Sequence, residues 1–442
     1  SLHDALPISS GKVVFVPRSA PGDRVLAEVV KEKPRWALAE ARRVLEAGPR
    51  RRDPPCPLYS RCGGCSLQHL EYREQLVWKG RIVGEALRRL GGVDVQDPTV
   101  SPSPREFRYR NRVTFTLRRL RGGRVVAGLR ERTKESRVLD VGGLCLLPEE
   151  PLMETWQALR EVWGAGASCL PGGRELRLTL RAGDEGVGLA IRGGHGDGEP
   201  HRLLSEIPAL VALWREEPGV GHRPLGGLPS LSVPWRGESY RIEGGGFLQV
   251  NQAAGEMLHQ YVVRETGDVR GRKVIDAYAG AGVVGRELAG AGAQVLGIDL
   301  EPLDTFQEPQ EAISLGGPTK LSDGEELENG PKDGERGPRE GPGGEGRFRA
   351  IRGRVEEELE DRLPADIVLL NPPRSGLDPA VPASLVRHAP GKIVYVSCDP
   401  ATLARDLDRL GPGFEVERIQ AFDLFPQTAH VEIVVTLRAE GG

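Results

Sequence analysis

A doubly wound α/β domain, preceded by a small β-barrel and a mixed α/β region, is the fold class this sequence predicts. Three observations carry it. The segment VIDAYAGAGVVGRELAGAGAQVLGIDLE, beginning at Val274, reads as strand, glycine-rich turn, helix and strand. Three further apolar strands follow, DIVLLN, KIVYVSC and HVEIVVTL. The first fifty residues instead form short strand-like runs, KVVFVP, RVLAEVV and WALAEARRVL, separated by the turn formers PRSAPGD and KEKPR.

The bulk numbers suit that organisation. A chain of 442 residues exceeds one core and predicts two or three domains. The expected division is 1–50, the β-barrel; 51–245, a cysteine-bearing and mixed α/β region; and 246–442, the doubly wound domain. The net charge is −3, so no global positive charge announces a nucleic-acid partner. Arginines nevertheless cluster at 42–52 and again at 105–124, either as a solvated face or as a polyanion-binding one. No apolar run approaches the ~20 residues needed to span a membrane, and no secretory signal is visible. Six cysteines, three of them bunched, do not resemble a secreted disulfide framework, and a cytoplasmic protein is expected. The chain begins SLHDALPISS without methionine, which reads as a fragment end or a scar.

Taken in order, Pro54–Leu70 holds the cysteine bunch with too much Pro and Gly for regular structure. The helix YREQLVWKGRIVGEALRRL follows and stops at Gly91–Gly92. From Phe107 to Ile242, strands such as RVTFTLRR, VVAGLRE and ELRLTLRA mix with a helix near Leu152–Val162. An amphipathic helix over NQAAGEMLHQYVVRETG then leads into the doubly wound domain. Residues 304–346 are so rich in Gly, Pro and charge that they cannot bury enough apolar surface to offset chain entropy, and a disordered insertion is expected there.

Four places carry chemistry. At Asp276–Gly282 the glycines let backbone amides approach a ligand, and Gly280, Gly282 and Gly285 match GxGxxG spacing. Asp299, ending the next strand, suits ribose hydroxyls. That pattern serves NAD and S-adenosylmethionine alike. The fourth strand ends in Asn371-Pro-Pro-Arg374, where two prolines stiffen the loop holding the Asn371 carboxamide. Polar-Pro-Pro there resembles the substrate-facing turn of class I methyltransferases, although prolines also end strands with no function at all. Next, Cys398 stands between a buried-type strand and a helix begun by Asp399 and Pro400. A helix start is expected to lower the thiol pKa and favour the nucleophilic thiolate. Free cysteine is more often a small buried hydrophobe, but strand ends of open α/β sheets line the ligand crevice. Last, Glu432 sits in an apolar strand; buried, its carboxyl would have a raised pKa and act as a base, whereas on an edge it would face outward. His430 reads as structural or substrate-contacting.

These pieces, FLQVNQ (247–252), DAYAGAG (276–282), NPPRSG (371–376), SCDPATLARDL (397–407) and FPQTAHVE (425–432), resemble the RNA uracil-5-methyltransferase family in order and spacing. The resemblance implies a Rossmann-like class I methyltransferase domain using S-adenosylmethionine, with Cys398 as nucleophile and Glu432 as base. It further implies that Gln249, Tyr278, Gly280, Gly282, Asp299 and Asn371 bind the cofactor, and that Arg374 contacts substrate. GKVVFVPRSAPGDRVLAEVV is similar to the OB-like TRAM domain, an RNA-binding β-barrel. Cys56, Cys62, Cys65 and Cys145 suit zinc or iron–sulfur equally by spacing, and the resemblance implies a [4Fe–4S] cluster; Cys169 matches nothing. The expected partner is RNA, ribosomal RNA (23S) before the transfer-RNA T-loop, and a monomer is expected.

Asn371 stands where many relatives carry aspartate, and Ala279 where cysteine is frequent. The helix that normally follows Asp299 is replaced by EPLDTFQEPQEAISLGGPTK and the biased segment. Three rivals are weighed. An RNA cytosine-5-methyltransferase would carry Pro-Cys where this chain has Pro-Pro-Arg. A non-catalytic RNA-binding protein would not need Cys398 and Glu432 together. An NAD oxidoreductase lacks a hydride-transfer partner beside the glycine turn.

Overall fold

The computed structural model describes residues 5–9, 12–217, 221–244, 246, 248–300, 346–411 and 413–440. The first strands are β1 (Ala5–Ser9), β2 (Lys12–Phe15), β3 (Arg24–Glu32) and β4 (Trp36–Glu46). After the cysteine-bearing loop come α1 (Tyr72–Leu90) and β5 (Val100–Ser101). The middle region holds β6 (Arg112–Arg119), β7 (Val125–Arg130), β8 (Val138–Asp140), α2 (Glu150–Val162), β9 (Glu175–Gly183), β10 (Gly186–Arg192), α3 (Pro200–Glu206), β11 (Leu210–Glu217), β12 (Gly221–Gly227), β13 (Leu231–Trp235) and β14 (Glu238–Ile242). The last region holds α4 (Gln252–Thr266), β15 (Lys273–Ala277), α5 (Val283–Gly290), β16 (Gln294–Asp299), β17 (Arg347–Arg352), α6 (Val355–Glu358), β18 (Ile367–Leu370), α7 (Ala380–Arg387), β19 (Lys392–Ser397), α8 (Pro400–Leu410), β20 (Phe414–Phe422) and β21 (Glu432–Ala439).

The doubly wound sheet is present, with strand order β17-β16-β15-β18-β19-β21-β20-β5. Strands β15 to β19 are mutually parallel, and β21 alone runs antiparallel between β19 and β20. β18 and β21 are buried along most of their length because helices cover both faces, which is why they read as unbroken apolar runs. β15 pairs in parallel with β16 on one side and β18 on the other, so the order of successive strands reverses there and opens a crevice at the strand ends. The middle region is a seven-stranded sheet of order β12-β11-β10-β9-β6-β7-β8, covered by α2.

One expectation needs correction. The N-terminal strands pair in the order β1-β2-β4-β3, with no closing pair among the described residues, so they form an open sheet rather than a closed barrel. Irregular register between β3 and β4 bends the sheet without joining its edges. α1 and β5 join the eight-stranded sheet from outside the doubly wound segment. α1 packs against α8, and β5 adds to the edge of the eight-stranded sheet beside β20. Chain that precedes the middle region thus completes the last one. The expected disordered insertion at 304–346, and the altered segment after Asp299, lie outside the described residues except for Gly346. Among the described residues no helix is long and apolar enough to cross a membrane.

Candidate active site

The crevice at the switch point is a cavity of about 1140 Å³. Cys398, Glu432, Gln249, Tyr278, Gly280, Asp299, Asn371 and Arg374 all line it. Of the expected site residues there, Gly282 alone does not. It adopts φ 68° as the N-cap of α5, and a side chain on it would run into the Phe348 ring.

One part of the lining is built from strand ends. Tyr278 turns the chain with φ 64°, a left-handed conformation costly for a side-chain-bearing residue, and Gly280 follows with φ 55°. Asp299 accepts a hydrogen bond from the Gly280 amide at 2.7 Å, which locks the glycine turn to β16. Asp276 is fully buried beneath the turn and accepts from the Gly285 amide at 3.1 Å. Burial, helped by Asp299, pushes the Asp276 carboxyl up to about 7. The residue stood in the quoted motif without a role; its position as a carboxylate one residue before the end of a buried parallel strand was the available signal.

Another part of the lining centres on the start of α8. Asp399 caps it, accepting from the Ala401 and Thr402 amides at 3.0 Å each, with Pro400 in the first turn. Cys398 is half-buried immediately before this cap. Its thiol is pushed upward by burial, then by Glu432, with Arg374 opposing. The expectation of a lowered pKa is therefore corrected: desolvation and a neighbouring carboxylate outweigh one helix terminus. Glu432, first residue of β21, is buried rather than outward-facing, and burial raises its carboxyl to about 8 against the pull of Arg374. Arg374 thus exerts its charge on both groups. It is carried on the loop after Asn371, and that loop is fastened to α8. Fully buried Asp406 accepts from the Leu377 amide at 2.8 Å and from the Tyr395 hydroxyl at 2.9 Å, while Arg405 donates to the Ser375 carbonyl at 2.8 Å. Arg110, Arg112 and Phe425 also line the cavity and had no assigned role. The Arg110 guanidinium lies 5.9 Å from the Phe425 ring centre, so a cation and an aromatic face flank the mouth. His430 lies beside Phe425, outside the cavity lining.

The four cysteines lie apart from this cavity. Cys56, Cys62 and Cys65 on one loop and Cys145 on another surround a second, small cavity. Burial first, and mutual proximity after it, push Cys65 up to about 12 and Cys145 to about 11. Among the described residues no three His, Cys, Asp or Glu side chains converge on a single-ion site; the thiols are spread around a space instead. Cys169 is buried elsewhere, its Sγ donating to the Val162 carbonyl.

The comparisons with known proteins agree with this geometry. The model of the family described as tRNA (uracil-5-)-methyltransferase matches residues 348–440. An uncharacterized RNA methyltransferase of Gloeobacter violaceus is 32% identical, covering 97% of this chain and 92% of its own. A second, from Synechocystis, is 29% identical over 98% of this chain and 92% of its own. Among solved structures, the tRNA (uracil-54, C5)-methyltransferase of Pyrococcus abyssi in complex with S-adenosyl-L-homocysteine shares the fold. Its TM-score is 0.65 at 24% identity, over 97% of this chain and 96% of that one.

Proposed function

The chain belongs to the RNA uracil-5-methyltransferase family, and from that premise we propose that it methylates carbon 5 of a uridine with Cys398 as nucleophile and Glu432 as base. The observation carrying this is the convergence of half-buried Cys398, buried Glu432 and Arg374 on one cavity with the Asp299–Gly280 turn. The methyl donor is S-adenosylmethionine, a sulfonium whose adenosine moiety suits the Tyr278–Gly280 turn, Asp299, Gln249 and Asn371.

The residues divide the reaction between them. Carbon 5 of uracil is too weak a nucleophile to take a methyl group unaided. The Cys398 thiolate forms a bond to carbon 6, and the displaced electron pair makes carbon 5 an enolate-like centre. Carbon 5 takes the methyl group as the sulfonium–methyl bond breaks, leaving neutral S-adenosylhomocysteine. Glu432 then removes the carbon 5 proton. The freed pair restores the double bond to carbon 6 and expels the Cys398 thiolate. Arg374, placed to act on both groups, favours the charged forms of Cys398 and Glu432.

We place the substrate in ribosomal RNA, with the N-terminal sheet as an RNA-binding TRAM-like module and the division 1–50, 51–245 and 246–442 as functional units, α1 and β5 of the second packing on the third. The combination of that sheet with four cysteines supports this reading. Thiols distributed around a space suit a [4Fe–4S] cluster better than one zinc ion; Cys56, Cys62, Cys65 and Cys145 would hold it, and it would supply a structural cross-link between two loops. The test is incubation with methyl-labelled S-adenosylmethionine and either deproteinised ribosomal RNA or transfer RNA, followed by digestion to nucleosides. Labelled 5-methyluridine from ribosomal RNA is expected; 5-methylcytidine, or no product from either RNA, would overturn the reading.

A further inference from the structure

The loop joining β20 to β21 carries Phe425 at one end and Glu432 at the other, and its middle residue is the most tightly bonded of all. Gln427 is completely buried and holds φ 69°, a left-handed conformation that a non-glycine residue keeps only when its surroundings impose it. Its carbonyl accepts from the Ser66 and Leu67 amides at 2.9 and 3.0 Å. Its side-chain oxygen accepts from Arg52 at 3.1 Å and from Gln75 at 3.0 Å, and its side-chain nitrogen donates to Glu106 at 3.3 Å. Its own amide donates to the Gln75 oxygen at 3.1 Å. Gln75, also fully buried, has its remaining donor capacity on the Leu67 and Leu70 carbonyls, at 3.1 Å each.

Two glutamines 352 residues apart thus exchange two hydrogen bonds, and every partner of the pair comes from chain preceding the middle region. Ser66 and Leu67 directly follow Cys65, so this clamp presses the catalytic loop onto the cysteine-bearing one. Its geometry passes forward through a short relay. The Thr428 hydroxyl donates to the Phe425 carbonyl at 2.7 Å, and the His430 amide donates to the Thr428 hydroxyl at 3.3 Å. Two residues later comes Glu432.

We infer that Gln427 and Gln75 are positioning residues for proton removal: their exchange of hydrogen bonds fixes the loop whose end presents Glu432. This rests on the proposed methylation and deepens it. If the loop slackens, addition of Cys398 and methyl transfer proceed while proton removal slows, so the enzyme stalls as a covalent adduct with RNA. The mutual satisfaction of two buried amides explains why the loop is not held by apolar packing alone: hydrogen bonds fix direction, which burial does not.

The experiment compares wild type, Gln427→Asn, Gln75→Leu and, as a reference for blocked proton removal, Glu432→Gln, all as full-length protein. Gln427→Asn keeps an amide and tolerates positive φ but falls one methylene short, so it keeps the test alive should Gln75→Leu fail to fold. Thermal unfolding, kcat, KM for RNA and adduct on a denaturing gel are read together. The expected result is folded Gln427→Asn with kcat lowered by about tenfold to a hundredfold, the scale of a displacement of about 1 Å, with KM for RNA within about twofold and an RNA-shifted band. Unchanged kcat in folded protein, or lost activity with no adduct while Glu432→Gln forms one, would overturn the inference. Absence of 5-methyluridine from wild type would instead reject the methylation reading itself.

Discussion

The Lys79 ammonium lies 2.6 Å from the Asp423 carboxylate, and both side chains are fully buried between α1 and the start of the β20–β21 loop. Lys79 also donates to the Phe425 carbonyl at 3.2 Å, and Asp423 accepts from the Phe425 amide at 3.1 Å. The pair therefore grips the backbone of a residue that lines the active-site cavity. Burial pushes the Lys79 pKa down and Asp423 pushes it back, so the ammonium depends on its partner. Removing only one charge leaves the other buried and unpaired, which costs about 3–5 kcal/mol. Asp423→Ala is expected to lower stability by that amount in denaturant titration, and Lys79→Met/Asp423→Leu by less than either single change. A double variant as unstable as the sum of the singles would show that the two side chains act independently.

Cys398→Ala is expected to reduce methylation by about 10³-fold or more, the scale on which loss of a nucleophile acts. Donor binding, measured by calorimetry, should persist because Cys398 is not among the residues assigned to the donor. Residual turnover near the wild-type rate would remove Cys398 from the mechanism.

The acid–base behaviour of Glu432 has a calculable sign. Its carboxyl, raised to about 8 by burial, is mostly protonated at neutral pH and cannot accept a proton in that form. The Cys398 thiol is raised as well. In the proposed reaction both groups act deprotonated, so kcat/KM should climb as pH rises through about 8. Stability runs the other way. A carboxyl whose folded pKa exceeds its unfolded value of 4.5 contributes stability below that value and loses it as pH rises through about 8. Glu432→Gln should therefore match wild type in thermal unfolding at low pH and exceed it under alkaline conditions. A flat difference across pH would contradict burial of an ionisable Glu432.

Gly285 marks the tightest point beneath the nucleotide turn. A Cβ there would stand 2.9 Å from the Asp276 carboxylate and 2.7 Å from the Phe348 ring. Gly285→Ala must displace one of them, and with Asp276 goes the floor of the glycine turn. A rise of about tenfold or more in KM for S-adenosylmethionine is expected, with KM for RNA unchanged, since an ångström-scale misplacement is costly in a preorganised site. Equal rises in both constants would place the effect elsewhere.

How far the sequence reached can be read residue by residue. Cys398, Asn371 and Asp299 were legible because each ends an apolar strand of a parallel sheet, where the crevice must be. Glu432 was legible as a charge in an apolar run, though only packing shows that it faces inward. The thiol's direction of shift was missed because local sequence reveals a helix start but not how much water the fold removes. The clamp was missed for a related reason. Gln75, Lys79, Val83 and Leu87 form one buried stripe at four-residue spacing, yet the two polar members look like solvent-facing helix residues. β5, only two residues long, gives no periodic signal, so its place beside β20 is a product of tertiary contacts.

The cysteine loop gives the last prediction, because it is held from three sides. Arg18, on the turn after β2, donates to the carbonyls of Tyr59, Cys62 and Cys65, the latter two at 2.9 and 3.0 Å. Its guanidinium also lies 4.0 Å from the Tyr59 ring centre. The Tyr59 hydroxyl meets His69 at 2.7 Å, and Ser66 and Leu67 bond Gln427. A structural group held by Cys56, Cys62, Cys65 and Cys145 would therefore brace the N-terminal sheet and the catalytic loop at once. Protein purified without air is expected to be brown, with absorbance at roughly 400 nm from iron–sulfur thiolate charge transfer, and to contain iron and sulfide. Cys65→Ser should lose the colour and unfold at lower temperature, and treatment of wild type with an iron chelator should reproduce that shift. Bound zinc without iron would assign the four thiols to a different metal, and a colourless, metal-free protein of unchanged stability would leave the loop to be held by its hydrogen bonds to Arg18, His69 and Gln427.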